Sequence, residues 1–166
     1  MICVLQKVSS SSVSVGGEKV GSIGKGLLLL LCAVGGDTEE DARLLAKKIP
    51  SLRIFEDENG VNNRSLLEEK GEILVVSNFT IAGEYRKGNR PSYIGAMEPV
   101  GAEKLYRFFI SQLREAGTRT ECGVFGADMS LSIQAEGPMT LVIDSNVLRQ
   151  PRRKSEKQET NANTQI

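Results

Sequence analysis

Gly26-Leu27-Leu28-Leu29-Leu30-Leu31-Cys32-Ala33-Val34 is the stretch on which the fold turns. It carries no charge and is bounded by glycines. A strand with one wet face alternates apolar and polar residues, and this one does not alternate. The run therefore reads as a central strand buried on both faces. It is far too short to span a bilayer, which takes ~20 apolar residues.

Upstream, Ile2 to Val8 is a strand candidate and Ser9 to Ser12 interrupts it. Val13-Ser14-Val15, a turn at Gly16-Gly17 and Lys19 to Ile23 then read as a β-hairpin. Downstream, Thr38 caps a helix whose first turn is acidic, which suits the positive helix end. Ala42, Leu45, Ala46 and Ile49 keep its stripe until Pro50. A short strand at Leu52 to Phe55 and a turn at Asp57 to Gly60 follow. Glu72 to Val76 begins as a buried strand and runs into the polar Ser77-Asn78-Phe79-Thr80. Ala82 to Pro91 is a loop. Ala102, Leu105, Phe108, Phe109 and Leu113 mark the second long helix, ended by Gly117. Strands are expected at Thr118 to Cys122, Met129 to Ala135 and Met139 to Ile143. Strands dominate and two main helices pack on the sheet, so the fold class is α+β in a single compact β-rich domain.

The chain has 166 residues and neither histidine nor tryptophan. Missing histidine excludes a Ser-His-Asp triad, a Cys-His pair and imidazole metal ligands. Cys3, Cys32 and Cys122 are odd in number and far apart, against a disulfide framework or a zinc site. They read as small buried hydrophobes in a reducing compartment. No signal-peptide pattern opens the chain, so the expected location is cytoplasmic, with no membrane partner. The 21 cations balance 21 anions, but unevenly. Residues 147–166 hold five cations and two anions, a net +3, which leaves −3 on residues 1–146. The expected division is a folded domain over 1–146 and a basic, disordered tail over 147–166. That tail is either a weak electrostatic arm for nucleic acid or a solubilising appendage.

Three segments bear on chemistry. Ser77 to Thr80 leaves a buried strand, where hydroxyls and freed backbone N–H groups either line a cleft or merely end the strand. Thr80 as a nucleophile would need a neighbouring base, and no histidine supplies one. Glu136-Gly137-Pro138-Met139-Thr140 lies between two strand candidates, where Pro138 demands a turn, an edge or a strand start. The loop with Arg86, Lys87 and Arg90 either contacts phosphates or is a solvated surface. The acidic pairs Asp57-Glu58 and Glu68-Glu69 lack metal-ligand spacing, so no metal site is expected.

Taken in order, these pieces resemble the D-aminoacyl-tRNA deacylase family. The carrying segments are Gln6-Lys7-Val8 with Ser12-Val13-Ser14-Val15, Ile23-Gly24-Lys25-Gly26-Leu27, Gly36-Asp37-Thr38 and Leu52-Arg53-Ile54-Phe55-Glu56-Asp57. They continue with Val75-Val76-Ser77-Asn78-Phe79-Thr80, Lys87-Gly88-Asn89-Arg90-Pro91, Gly123 to Met129 and Gly137-Pro138-Met139-Thr140. The resemblance spans roughly residues 1 to 145.

It implies a symmetric homodimer that hydrolyses the ester between a D-amino acid, or glycine, and the terminal ribose of tRNA, without a cofactor. By the same resemblance, Ser77, Asn78, Phe79 and Thr80 line the pocket, and Phe125 and Met129 sit near the terminal adenosine and the pocket wall. Gly137 and Pro138, joined by a cis bond, reach into the partner subunit's pocket, where their carbonyls take the space of an L side chain. Backbone N–H groups of Phe79 and Thr80 are the expected oxyanion donors, and the ribose hydroxyl beside the ester supplies part of the catalysis. Arg86, Lys87 and Arg90 are expected on the tRNA backbone. The chain departs from the family in having Asn78 for a glutamine and Lys7 for an arginine that supports the Gly-Pro loop. It also has Gln134-Ala135-Glu136 where the family has Asn-Asp. Two alternatives stay in view: a sister deacylase with a trans Gly-Pro bond that removes a small L-amino acid, and a nucleic-acid-binding protein that uses the basic tail.

Overall fold

In a computed structural model describing residues 1–150, β3 (Gly26–Cys32) is the hub that the leucine run predicts. It lies between β1 (Ile2–Val15), which is antiparallel to it, and β6 (Glu72–Ser77), which is parallel to it. β2 (Glu18–Ile23) extends one side and β7 (Arg119–Cys122) the other, while β8 (Met129–Asp144) pairs with β1 along the opposite edge.

Alternate β3 residues enter different cores. Leu27, Leu29 and Leu31 join Ile73, Val75 and the apolar faces of α1 (Glu39–Lys48) and α3 (Pro99–Glu115). Leu28 points the other way, to Val8, Val13, Ile23, Leu74 and Val76. Burial on both faces is thus literal, and side-chain alternation every second residue is its cause.

Three expectations need correction. Ser9 to Ser12 does not interrupt the first strand. β1 runs through it with register shifts, because the Ser11 hydroxyl donates to Ser132 O (3.0 Å) and keeps the polar stretch satisfied inside the sheet. The strand expected at Leu52 to Phe55 shrinks to β4 (Phe55–Glu56), paired with β5 (Asn62–Arg64), because Pro50 opens a 3₁₀ turn at Ile49–Ser51. The last two expected strands are one element, β8, out of which residues 136–139 bulge opposite Lys7. Gln6 pairs with Thr140 while Val8 pairs with Ala135.

Short helices α2 (Leu66–Glu69) and α4 (Ser145–Arg149) complete the order. The second crosses the expected boundary between 146 and 147. Arg149, counted with the tail, lies 2.8 Å from the buried Asp41, and Leu148 packs on the larger core. The tail expectation for 151–166 lies outside the described residues. No helix among the described residues is long and apolar enough to cross a membrane.

Candidate active site

The carboxyl ends of β3, β6 and β7 converge on one cleft of ≈ 920 Å³. Sheets with parallel strands open their ligand crevices at that end, because the chain leaves each strand there in turn. β3 contributes Leu31 and Cys32, and Ala33 follows directly after it. β6 feeds Ser77, Asn78, Phe79 and Thr80 into the wall, and the segment after β7 adds Phe125 and, at the start of β8, Met129. All six pocket residues expected on these segments are therefore brought together. Met129 is seated by a glycine: a Cβ on Gly123 would meet its sulfur at 2.6 Å.

The turn after β6 fixes the donors. Asn78 N–H extends the parallel ladder by donating to Leu31 O (2.8 Å). Asn78 then caps the 3₁₀ turn Phe79–Ala82. Its side-chain oxygen accepts both the Thr80 N–H (3.2 Å) and the Thr80 hydroxyl (2.5 Å). This corrects one expectation: the Thr80 amide is not a free oxyanion donor here. A short asparagine arm folds back on the amide two residues ahead, as Asx turns do. Phe79 N–H makes no hydrogen bond among the described residues, which leaves it as the open amide of the pair. The Phe79 ring is exposed and meets Tyr93 edge-on, with centroids 5.2 Å apart.

Of the other polar groups on the cleft wall, the exposed Asp128 is charged and makes no hydrogen bond or ion pair among the described residues, whereas Glu98 and Cys32 are engaged or uncharged. Glu98 caps α3 by accepting Gly101 N–H (2.5 Å) and Val100 N–H (2.9 Å). Burial pushes the Cys32 thiol above its ordinary value, so it holds its proton at neutral pH and is a poor nucleophile. The described residues hold no group of three His, Cys, Asp or Glu side chains able to bind a metal.

Gly137 and Pro138 are not in this cleft. They project, exposed, from the bulge in β8, with a cis peptide between them and Gly137 at φ +118°, a conformation that favours glycine. Below them the buried Lys7 Nζ lies 3.8 Å from Glu136 Oε1 and 5.8 Å from the Phe55 ring centre. Arg86, Lys87 and Arg90 are exposed on a loop closed by paired Glu84 and Ser92 backbone bonds (2.7 and 2.8 Å). That loop runs directly into Tyr93 and Ile94 on the cleft rim.

Sequence reasoning missed Tyr106. It is not among the residues that mark the helical stripe, yet its hydroxyl donates to Val75 O (2.8 Å) and lies 3.3 Å from Gly123 O. A tyrosine inside a helix's apolar stripe, whose hydroxyl must find a partner, was the available signal.

The family model described as D-Tyr-tRNA(Tyr) deacylase matches residues 4–144. A D-aminoacyl-tRNA deacylase of Persephonella marina is 53% identical over 148 residues, which cover 89% of this chain and 100% of that protein. One from Thermus aquaticus is 49% identical, covering 88% and 96%. Among solved structures, the c-Myc DNA unwinding element binding protein superposes with a TM-score of 0.81 at 39% identity, covering 87% of this chain and 98% of that one. A probable eukaryotic D-amino acid tRNA deacylase shares the fold, with a TM-score of 0.73 at 20% identity over 86% of this chain and 98% of that one.

Proposed function

Since the chain belongs to the D-Tyr-tRNA(Tyr) deacylase family, we propose that its cleft holds the aminoacylated end of a tRNA and hydrolyses the ester of a D-amino acid. The carrying observation is the turn after β6, where the open Phe79 amide stands in the wall of an apolar cleft. An ester carbonyl set against that amide gains a donor as negative charge develops on its oxygen. The exposed Phe79–Tyr93 pair offers flat apolar surface to a nucleobase. The terminal ribose brings a second hydroxyl beside the ester, close enough to polarise it or orient water. The protein then needs no imidazole.

Choice of hand is assigned to Gly137 and Pro138 of a second copy. Both are exposed and do not line their own cleft, and β8 has an outer edge unpaired among the described residues, with Val142 exposed. A symmetric dimer would cover that edge and send each pair toward the other subunit's cleft. Their carbonyls would occupy the space of an L side chain and admit D-residues and glycine. Arg86, Lys87 and Arg90 would meet tRNA phosphates beside the rim. The cytosol is the expected compartment.

Matched D- and L-aminoacyl-tRNA pairs test this reading. Hydrolysis of the D-ester with the L-ester spared is expected. Hydrolysis of a small L-ester instead would move the chain to the sister activity, and no hydrolysis would end the enzyme reading. Sedimentation showing a monomer at assay concentration would remove the shared pocket. DNA binding is a second reading, favoured by the name of the 39% identical structural relative. Direct titration with duplex DNA separates the two.

A further inference from the structure

Two walls of the cleft leave the sheet side by side. β6 and β7 are parallel and pair from Glu72 with Arg119 to Val75 with Cys122. One more ladder bond follows, Gly123 N–H to Val75 O (2.9 Å). Beyond it the chains part. β6 turns toward Phe79 and Thr80, and β7 toward Phe125 and Met129. At the point of divergence two carbonyls, Val75 O and Gly123 O, face the phenol of Tyr106, whose hydroxyl lies 2.8 and 3.3 Å from them. The same ring is tilted against Phe125, with centroids 5.6 Å apart, and itself borders the cleft.

We propose that Tyr106 is a positioning residue for the deacylation reaction, a clamp that fixes the Phe79 amide turn and the Phe125 wall relative to each other. The inference rests on the deacylase reading. Tyr106 comes from neither wall. It stands on α3, held by Leu105, Phe109, Ile110 and Leu113 in the core, so it ties both walls to a third, rigid element. Burial pushes the phenol well above its ordinary value, so it remains a donor throughout the working pH range. The clamp touches no reacting atom. Its effect on rate comes through the alignment of the ester with the amide, where a misplacement of about 1 Å costs as much as ~100-fold.

The test compares two conservative deletions of one buried hydroxyl each. Tyr106→Phe removes the clamp and keeps the ring. Thr118→Val removes a buried hydroxyl that donates to Leu113 O (2.7 Å) at the opposite end of the same α3–β7 unit. Each is expected to lower Tm by about 2–4 °C. Tyr106→Phe is expected to lower kcat about tenfold with KM within about twofold, whereas Thr118→Val leaves both parameters unchanged. Amide exchange in the full-length protein supplies a readout independent of activity. It should quicken in both 77–83 and 123–128 for Tyr106→Phe, and in neither for Thr118→Val. Equal kinetic effects of the two variants, or exchange that quickens in one wall only, would overturn the clamp. A wild-type protein without deacylase activity would overturn the deacylase reading instead, and the exchange result would still decide whether the walls are coupled through Tyr106.

Discussion

Replacing Thr80 by alanine separates two chemistries that share one residue. If the hydroxyl attacked the ester, its removal would abolish a covalent step. Losses for such nucleophiles run to about 10⁶ in kcat. The geometry argues for a small effect. The hydroxyl donates to Asn78 Oδ1 at 2.5 Å, and an amide oxygen is no base for it. The residue is exposed, so water replaces much of what the bond provides. One such hydrogen bond contributes about 0.5–1.5 kcal/mol net. At 1.36 kcal/mol per tenfold, complete transfer of that loss to the transition state slows the reaction by about tenfold or less. The Asn78 cap survives in part, because Thr80 N–H still donates to the same oxygen. Single-turnover hydrolysis of D-aminoacyl-tRNA measures the step directly. Retention within about tenfold is expected for Thr80→Ala, together with poor turnover of tRNA whose terminal ribose lacks the free hydroxyl. A loss beyond about 10³-fold in a variant with unchanged Tm, and normal turnover of the deoxy substrate, would refute the reasoning and restore the side chain as nucleophile.

Lys7→Met should cost under about 1 kcal/mol of stability, because its partner Glu136 is half exposed. It should nevertheless lower the ratio of D- to L-ester hydrolysis, while Lys7→Arg preserves it; an unchanged ratio in Lys7→Met would deny Lys7 its supporting role. Asp41 is pushed up by burial, but the Thr38 amide, Ser145, the Met1 ammonium and Arg149 outweigh this and hold its carboxyl below the ordinary range. Its contribution is therefore present above the unfolded-state pKa, near 3.9, and fades as pH falls through the folded value. Asp41→Asn should lower Tm at pH 7 and differ progressively less from the parent below about pH 4, as thermal melts across that range would record; a constant difference would count against the assignment. Deleting residues 151–166 should leave deacylation unchanged, whereas deletion from Val147 should also lower Tm, because it removes Leu148 from the core and Arg149 from Asp41. Equal Tm values for the two truncations would contradict the docking of α4.

Much of the site was legible because it follows one strand. Ser77 to Thr80 leave a buried run, so their place at a strand exit follows from order along the chain. The clustering of Phe125 and Met129 with them was not readable from spacing, since it depends on β7 lying parallel beside β6. Tyr106 was hidden because a helical stripe records which face is buried but not which carbonyls that face meets. The Asn78 cap was hidden for a related reason: the amide arm could be identified in the sequence, while its partner is set by the backbone angles of one turn.

The sequence by itself determined that β3 is buried on both faces, since five consecutive leucines cannot satisfy water on either side. It determined that catalysis proceeds without imidazole, since no histidine exists to supply it. Only the tertiary structure decided that the six pocket residues share one cleft while Gly137 and Pro138 stand outside it. Only it decided that Thr80's amide is occupied and Phe79's is open. Composition and periodicity act over a few residues. Which strand ends meet, and which donors remain free, depend on contacts between segments separated by tens of residues.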